Sequence, residues 1–454
     1  MDRAKLVVIR VKVAIKHQAL AAFTYFRRYI LNNKGHPATG KIALFWDESF
    51  LWGIIAYKTF TRLSINFGIV TSADIRAGAL DAYDIIFVPG GWASNKIKAL
   101  GETGAQNIRS FVENGGSYLG FCGGAGLALK HKDGISLVPV TRKPTSERVP
   151  SFSGKIRLHQ EQPDHPIWNH ISDNTAFHAW WPGQFSILKP SEVSILASYG
   201  EPEDGSYVAD LMVTPDMDWD MWERSYATNL NPSRIKFEPA VIEAKYGNGT
   251  VFLSYLHFET LGDYPGQKVL LNICEHLAGK NVVVRPTRPS GAHSALLAGL
   301  PDHRADERVL RNIKQLESAA ADLISFGEKN FLWYWRNDWI LQWRRGVRGI
   351  EYCTLYSMLK ELAELIPLAG TFDAHLAHEV LELKTFGLPF FEKAKRLLLL
   401  ERFAMNNGPI SPLKTDDKSV RRIREELFSN SKSFGGYYMR IIDRIDTILL
   451  PLLK

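Results

Sequence analysis

The 454-residue chain contains few cysteines: only Cys122, Cys274 and Cys353, which lie far apart in the sequence. None belongs to a Cys-x-x-Cys pair or to a Cys/His cluster, so the sequence favours neither a disulfide framework nor a structural zinc site. Free thiols are typical of a reducing compartment. We therefore expect a cytoplasmic protein that uses no metal and no cofactor.

Long hydrophobic runs are also missing, since no stretch approaches 18 consecutive apolar residues. This pattern predicts no membrane-spanning helix. The apolar start of the chain is interrupted by basic residues, and we expect no secretory signal there. The net charge of +7 is modest for this length and does not by itself demand nucleic acid or anionic lipid.

What the chain does contain is enough hydrophobic sequence for a substantial core. Hydrophobic residues make up 45% and charged residues 23%, as in ordinary globular proteins, and the length allows two or three domains. The pattern predicts a basic N-terminal extension at 1–40, an α/β domain at 41–279, a linker at 280–295 and an α-helical domain at 296–454.

Short apolar strands alternate with helices at the start of the α/β domain. We predict strands at 41–46, 67–70 and 83–88, and helices at 49–66 and 105–113. Nearly continuous apolar strands of this kind indicate a parallel sheet that helices cover on both faces. Ligands of such sheets bind outside the carboxyl ends of the strands.

The central feature of the sequence is a cysteine at the end of an apolar strand. Cys122 follows a predicted strand and precedes Gly123 and Gly124, at which an apolar helix begins. This is the layout of a nucleophile elbow, in which a reactive side chain stands on a strained strand-to-helix turn. The helix amino end favours a thiolate there. A buried structural cysteine in a Gly-rich turn is the alternative.

A second element would supply the partners of this thiol. After a β-rich elaboration at about 138–240, the sequence predicts a hairpin at 240–256 with its turn at 247–249. His257 and Glu259 follow it directly. We predict that Cys122 is the nucleophile, that His257 is its base and that Glu259 orients the imidazole. The alternative is that both are incidental loop residues.

Three motifs resemble those of the class I glutamine amidotransferase superfamily. They are the Val-Pro-Gly-Gly run at 88–91, the Gly-rich run around Cys122 and the ending Ser254-x-x-His257-x-Glu259. Within that superfamily the chain is most similar to the amidotransferase-like N-terminal domain of some biotin–protein ligases, which the aromatic-Pro-Gly segment at 180–183 also resembles. The resemblance covers about 41–279. It implies a flavodoxin-like α/β sandwich with a Cys-His-Glu triad at these positions.

The remaining site predictions concern small and aromatic residues beside the elbow. Backbone N–H groups of Gly91 and Gly123 are the expected oxyanion donors, because glycine lets the backbone approach a substrate closely. The predicted substrate pocket contains Gly90, Trp92, Gly124 and Trp181.

Two departures from the family pattern shape the functional prediction. Gly126 stands where glutamine-hydrolysing members carry glutamine, and the adenylate-binding loop of a biotin ligase is missing. We therefore predict a cysteine-dependent amidase or amidotransferase-like hydrolase, not a biotin ligase. It would cleave the C–N bond of a small-molecule amide through a thioester on Cys122.

The C-terminal part reads as helical, with helices predicted at 305–326, 330–345, 350–365, 374–385, 391–405, 419–428 and 437–449. Trp335, Trp339 and Trp343 would share one face of the second helix, beside several arginines. Core packing, a membrane-interface helix and a docking surface for a protein or nucleic acid all fit this pattern. The alternative function is therefore a non-catalytic or regulatory module whose helical domain recruits such a partner.

Overall fold

The computed structural model describes residues 41–279 and 303–454, except 369–372, 409, 412–414 and 430–433. The predicted N-terminal extension at 1–40 and the predicted linker at 280–295 lie outside the described residues. Among the described residues, no helix combines the length and the apolar character needed to cross a bilayer.

The parallel part of the fold alternates strands and helices. Its elements are β1 (Ile42–Phe45), α1 (Phe50–Leu63), β2 (Phe67–Val70), α2 (Ser72–Arg76), β3 (Ile85–Val88), α3 (Ala93–Glu113), β4 (Ser117–Phe121) and α4 (Gly123–Ala128). The predicted strands are confirmed, and they are short and fully buried in β1, β3 and β4. Helix α3 begins about twelve residues earlier than predicted and is kinked at Gly101, where φ is 62°.

Antiparallel strands extend the same sheet. The further elements are β5 (Val140–Arg142), β6 (Phe152–Gln160), β7 (Ala176–Trp180), β8 (Phe185–Ile187), β9 (Val193–Pro202), β10 (Tyr207–Val208), β11 (Leu211–Met212), α5 (Trp219–Tyr226), β12 (Pro239–Tyr246), β13 (Gly249–Ser254) and α6 (Tyr264–Leu277). The hairpin predicted at 240–256 is confirmed as β12 and β13, with Tyr246 paired to Gly249 across the turn.

The strand order confirms the predicted fold class. Strands β2-β1-β3-β4-β13 are parallel neighbours, an order typical of flavodoxin-like sheets. Strands β12, β9, β6, β10 and β11 continue the sheet in antiparallel fashion, and β7 pairs with β6. The short strands β5 and β8 form a separate ribbon. The predicted β-rich elaboration is therefore an extension of the main sheet.

The C-terminal region is helical: α7 (His303–Lys329), α8 (Gly349–Leu365), α9 (Ala374–Ala404), α10 (Lys418–Phe428) and α11 (Gly436–Leu453). Two helices predicted at 374–385 and 391–405 are wrong as separate elements, because α9 runs through Pro389 without ending. Gly387 lies against Leu316 of α7 at that point, so close packing holds the helix together across the proline.

The helix predicted at 330–345 is also wrong. The segment forms a hairpin of β14 (Trp333–Trp335) and β15 (Leu341–Trp343), and the side chain of Asn337 accepts backbone N–H bonds in the turn. Aromatic residues favour strands and Asn favours turns. Because a spacing of four residues is also a multiple of the strand period of two, the tryptophan repeat did not distinguish the two structures.

The side chains of this hairpin contact the rest of the chain. Trp335 packs on Tyr356 of α8, and Arg336 donates hydrogen bonds to the backbone of Ser153 and Gly205. Arg348 forms a buried ion pair with Glu351 at 2.9 Å. The tryptophan and arginine side chains therefore do not form the single helix face that the sequence suggested.

Helix α1 joins the two parts of the molecule. Ala56, Phe60 and Leu63 belong to the core of the sheet. Phe50 and Ile54 belong to a second core that they share with the C-terminal helices. A helix that is apolar on both sides must be covered on both sides, and the helical region supplies the outer cover.

Candidate active site

Cys122 stands at the predicted strand-to-helix turn. Its backbone has φ 50° and ψ −106°, a strained conformation for a residue with a side chain, and α4 begins at the next residue. Strain of this kind is stored mainly at functional sites. The Cys122 N–H donates to the carbonyl of Ser254 at 2.8 Å, which fixes the turn against β13. The residue is half-buried, whereas Cys274 and Cys353 are fully buried in the cores.

The glycines around the turn allow a close backbone approach. A Cβ atom on Gly123 would lie 1.9 Å from the carbonyl oxygen of Gly91, and one on Gly124 would lie 1.8 Å from that of Val88. No side chain fits at such distances. The Gly-rich sequence is therefore required by the packing of the elbow against β3.

Sheet register brings the predicted base to the same edge. Strands β4 and β13 run parallel, with Phe121 opposite Ser254, so the chain leaves both strands on the same side of the sheet. The His257 Nδ1 atom lies 2.7 Å from Glu259 Oε1, and both side chains are fully buried. The ring of Trp52 stacks on His257 with centroids 4.2 Å apart. These contacts hold the imidazole in one orientation.

The electrostatics of His257 favour a protonated ring. Burial by itself would lower its pKa, but the carboxylate of Glu259 and the nearby sulfur of Cys122 outweigh burial and raise the pKa to about 10. The Nε2 atom is buried and makes no hydrogen bond of good geometry with described residues. The ring nevertheless lies near enough to the Cys122 sulfur for the two groups to interact.

A buried lysine adds positive charge beside the elbow. Lys96 of α3 is fully buried, and its ammonium group donates to Ser49 Oγ at 2.5 Å and to the Asp47 carbonyl at 3.2 Å. Burial lowers its pKa to about 7 against the opposing effects of Glu48, Asp47 and Cys122. Since it interacts electrostatically with Cys122, Lys96 can support negative charge on the sulfur.

A cavity of about 360 Å³ opens in front of Cys122. Of the residues predicted for the oxyanion hole and pocket, Gly91, Gly123, Trp92 and Trp181 line it with Cys122. Gly90 and Gly124 do not line it: Gly90 lies against the ring of Trp52, and Gly124 packs under the elbow. Their glycine character serves the close packing around the elbow.

The helical region supplies part of the cavity wall. Trp343 of β15, Ile350 and Thr354 of α8, and Phe434 all line the cavity. Trp343 packs on Trp181 with ring centroids 4.9 Å apart. Trp52 and Trp180 complete an aromatic wall from the α/β side. The site is therefore built by both parts of the chain.

Several site residues were missed by sequence reasoning: Trp52, Lys96, Arg142, Arg148, Tyr255 and Trp343. Tyr255 had a usable signal, because it lies two residues before His257 at the end of β13. Lys96 lies in the first turn of a helix that follows the glycines of the predicted oxyanion hole. The others come from distant segments and carry no motif.

A family model matches the segment of the chain that contains the elbow. A family model described as "Biotin-protein ligase, N terminal" matches residues 81–132, which run from the segment before β3 to just beyond α4 and include Cys122. No curated protein sequence matches the chain.

Several solved structures are similar to about half of the chain. A proposed GMP synthase subunit from Thermoplasma acidophilum is 15% identical, with coverage of 54% of this chain and 96% of that one and a TM-score of 0.35. A glutamine amidotransferase from Thermotoga maritima is 12% identical, covering 53% and 98%, with a TM-score of 0.33. A β-galactosidase from Bacillus circulans is 13% identical, covering 54% and 32%, with a TM-score of 0.32.

The elbow segment of this chain, residues 81–132, is thus similar to the N-terminal part of biotin–protein ligases.

Proposed function

We propose that the protein is a cysteine-dependent amide hydrolase that cleaves a C–N bond through a thioester on Cys122. The observation that carries this proposal is the convergence of three side chains at one sheet edge. Cys122 lies on a strained elbow, and a fully buried His257–Glu259 pair lies close enough to interact with its sulfur. Nucleophile, base and orienting acid are the parts that covalent catalysis of acyl transfer needs.

The raised pKa of His257 favours a protonated ring at neutral pH, and in the proposed reacting form this imidazolium stands beside a Cys122 thiolate. The thiolate of Cys122 would attack the amide carbon and form the new C–S bond, while the carbonyl π electrons move to oxygen. The backbone N–H groups of Gly91 and Gly123 are the proposed donors to that oxyanion. Neither donates a hydrogen bond to another described residue, and both glycines line the cavity.

The imidazolium of His257 would then protonate the leaving nitrogen as the C–N bond breaks, which leaves a thioester and a neutral ring. In the second half, His257 takes a proton from water, and the resulting hydroxide attacks the thioester carbon. The C–S bond breaks, a carboxylic acid is released and the thiolate is restored. Glu259 keeps the ring oriented and stabilises its charged form in both halves.

Trapping of the acyl-enzyme tests this proposal. We expect incubation with a library of small amides, followed by acid quench and peptide mass spectrometry, to show an acyl adduct on Cys122. Neither amine release nor adduct should occur with Cys122→Ala. The control is Cys274→Ala, which changes a buried thiol outside the cavity and should keep the adduct.

Two results would contradict the proposal. One is turnover that persists in Cys122→Ala. The other is full cellular activity of that variant together with stable capture of a partner, which would favour the non-catalytic module instead.

A further inference from the structure

A group of polar side chains that the proposed mechanism does not use lies on the cavity wall. Arg142 of β5, Arg148 and Tyr255 all line the cavity that contains Cys122. They come from two separate segments, one at 142–148 and one just after β13, that the fold brings together. The strand pairing places Arg142 opposite Phe185, whose ring lies 4.3 Å from that of Tyr255.

The hydroxyl of Tyr255 forms no hydrogen bond with the residues that the structure describes. The residue is 3% exposed, and its oxygen is buried without any contact to a donor or acceptor among the described residues. A buried hydroxyl that makes no hydrogen bond is energetically unfavourable. Tyr255 lines the cavity, and the hydrogen-bonding capacity of its hydroxyl is met by no described residue.

The two guanidinium groups are also without a carboxylate partner among residues 41–279 and the described part of 303–454. Neither Arg142 nor Arg148 forms an ion pair with a carboxylate in the part of the chain that the structure describes, and the Nε atom of Arg148 is buried without a partner. Burial and the neighbouring Arg142 both lower the pKa of Arg148. Two like charges held together are unfavourable until an anion neutralises them.

We propose that Arg142, Arg148 and Tyr255 bind an anionic oxygen group of the substrate, a carboxylate or a phosphate, while the tryptophan wall holds an apolar body. This inference rests on the proposed function, because the anion subsite shares its cavity with Cys122. Guanidinium groups pair in a fork with carboxylate and phosphate oxygens, and a tyrosine hydroxyl donates to the same group. The substrate class is then an acidic amide with an aromatic or other apolar portion.

The size of the cavity supports both parts of the assignment. A volume of about 360 Å³ accommodates a small molecule. The Tyr255 hydroxyl is near enough to Cys122 and to both arginines for their charges to affect its pKa. One small molecule can therefore place its anionic group at this subsite and its amide group at the Cys122 sulfur.

Ligand binding to the full-length Cys122→Ala variant tests the inference without depending on catalysis. Isothermal titration calorimetry would compare phenylacetate and phenyl phosphate with neutral phenylacetamide. We expect at least one anion to bind about 10-fold or more tightly than phenylacetamide, since a charged hydrogen bond contributes about 1.5–3 kcal/mol. The tighter of the two anions identifies the oxygen group.

Two further substitutions locate the subsite. In the same background, Arg148→Gln should abolish the preference for the anion, and Tyr255→Phe, which removes one oxygen, should weaken anion binding about 3-fold or more. Arg157→Gln is the matched control, because Arg157 pairs with Glu203 away from the cavity. It should leave the preference unchanged.

Equal binding of the anions and phenylacetamide would overturn the inference, as would a preference that both substitutions leave intact. Acyl-enzyme formation on wild-type Cys122 is judged separately. The anion subsite and the proposed hydrolysis can therefore fail independently.

Discussion

The two sides of the cavity are built in different ways. The α/β side presents a strained backbone, with glycines packed against carbonyl oxygens at the elbow. The helical side presents large side chains, such as Trp343 and Phe434, on elements without any recognisable motif. The first side sets the position of the reacting groups, and the second sets the shape of the space in front of them.

This difference explains why one side could be recognised from sequence and the other could not. Backbone geometry at a turn is local, so its requirements appear as consecutive small residues beside Cys122. A cavity wall requires only a side chain of sufficient volume at a given position. Many side chains on many elements can supply that volume.

The comparison predicts that the elbow tolerates no added atom. Gly124→Ala should destabilise the fold by more than about 3 kcal/mol, because its Cβ would lie 1.8 Å from the Val88 carbonyl oxygen. Gly126→Ala is the matched control two residues later, where the nearest atom would be the Ala93 Cβ at an ordinary 3.5 Å. Thermal unfolding checks both. Equal melting temperatures for the two variants would refute the account of the elbow.

The helical wall should respond in a graded way. Trp343→Ala removes a large apolar surface from the cavity, and we expect about 10-fold weaker binding of phenylacetamide to the Cys122→Ala background, from a loss of about 1–2 kcal/mol. Trp335→Ala, in the same hairpin but packed on Tyr356, is the matched control. Calorimetry would measure both affinities. Unchanged binding in Trp343→Ala would mean that the helical region does not shape the site.

The smallest predicted effect is the pH dependence of the His257–Glu259 pair. The pKa of His257 is raised to about 10 in the folded protein, from about 6.5 when unfolded. Its stabilising contribution is therefore complete below about pH 6.5 and is lost as the pH rises through about 10. Glu259→Gln should lower the melting temperature most near pH 6, and the difference from wild type should shrink towards pH 10.

The comparison uses the difference in melting temperature between Glu259→Gln and wild type. Lys96 has the opposite pH dependence, but it is present in both proteins, so its contribution cancels in this difference. Burial lowers the pKa of Lys96 to about 7 in the folded protein, from about 10.5 when unfolded. The contribution of Lys96 to the free energy of unfolding therefore increases between about pH 7 and about pH 10.5 in both proteins. A melting-temperature difference that grows with pH would contradict the assignment of a charged pair to His257 and Glu259.

Much of the α/β part was predictable, for physical reasons. Apolar strands, the Gly-Asn-Gly turn and the elbow each have local sequence requirements. The approach of His257 to Cys122 could be predicted because each follows the end of a predicted strand, whereas the parallel pairing of β4 with β13 is a long-range contact that only the fold shows. Gly90 and Gly124 were expected to line the pocket, but Gly90 lies against the ring of Trp52 and Gly124 against the Val88 carbonyl.

The features that sequence reasoning missed depend on tertiary packing. The tryptophan repeat at 335–343 fits both a helix and a strand period, and only docking against Ser153 and Tyr356 selects the hairpin. Pro389 suggested a helix break, yet packing against α7 carries α9 through it. The arginines and the tyrosine of the anion subsite are separated by more than 100 residues and meet only in the fold.

The central claim is that Cys122 and His257 act as one ion-paired unit. Its most direct test is the rate of Cys122 alkylation by iodoacetamide at pH 6–7, resolved by peptide mass spectrometry in wild type and His257→Asn. Cys274 and Cys353 serve as internal references, because burial raises the pKa of both thiols to about 12. We predict fast labelling of Cys122 alone in wild type and a rate at least about 10-fold lower in the variant. Equal rates in the two proteins would contradict the claim.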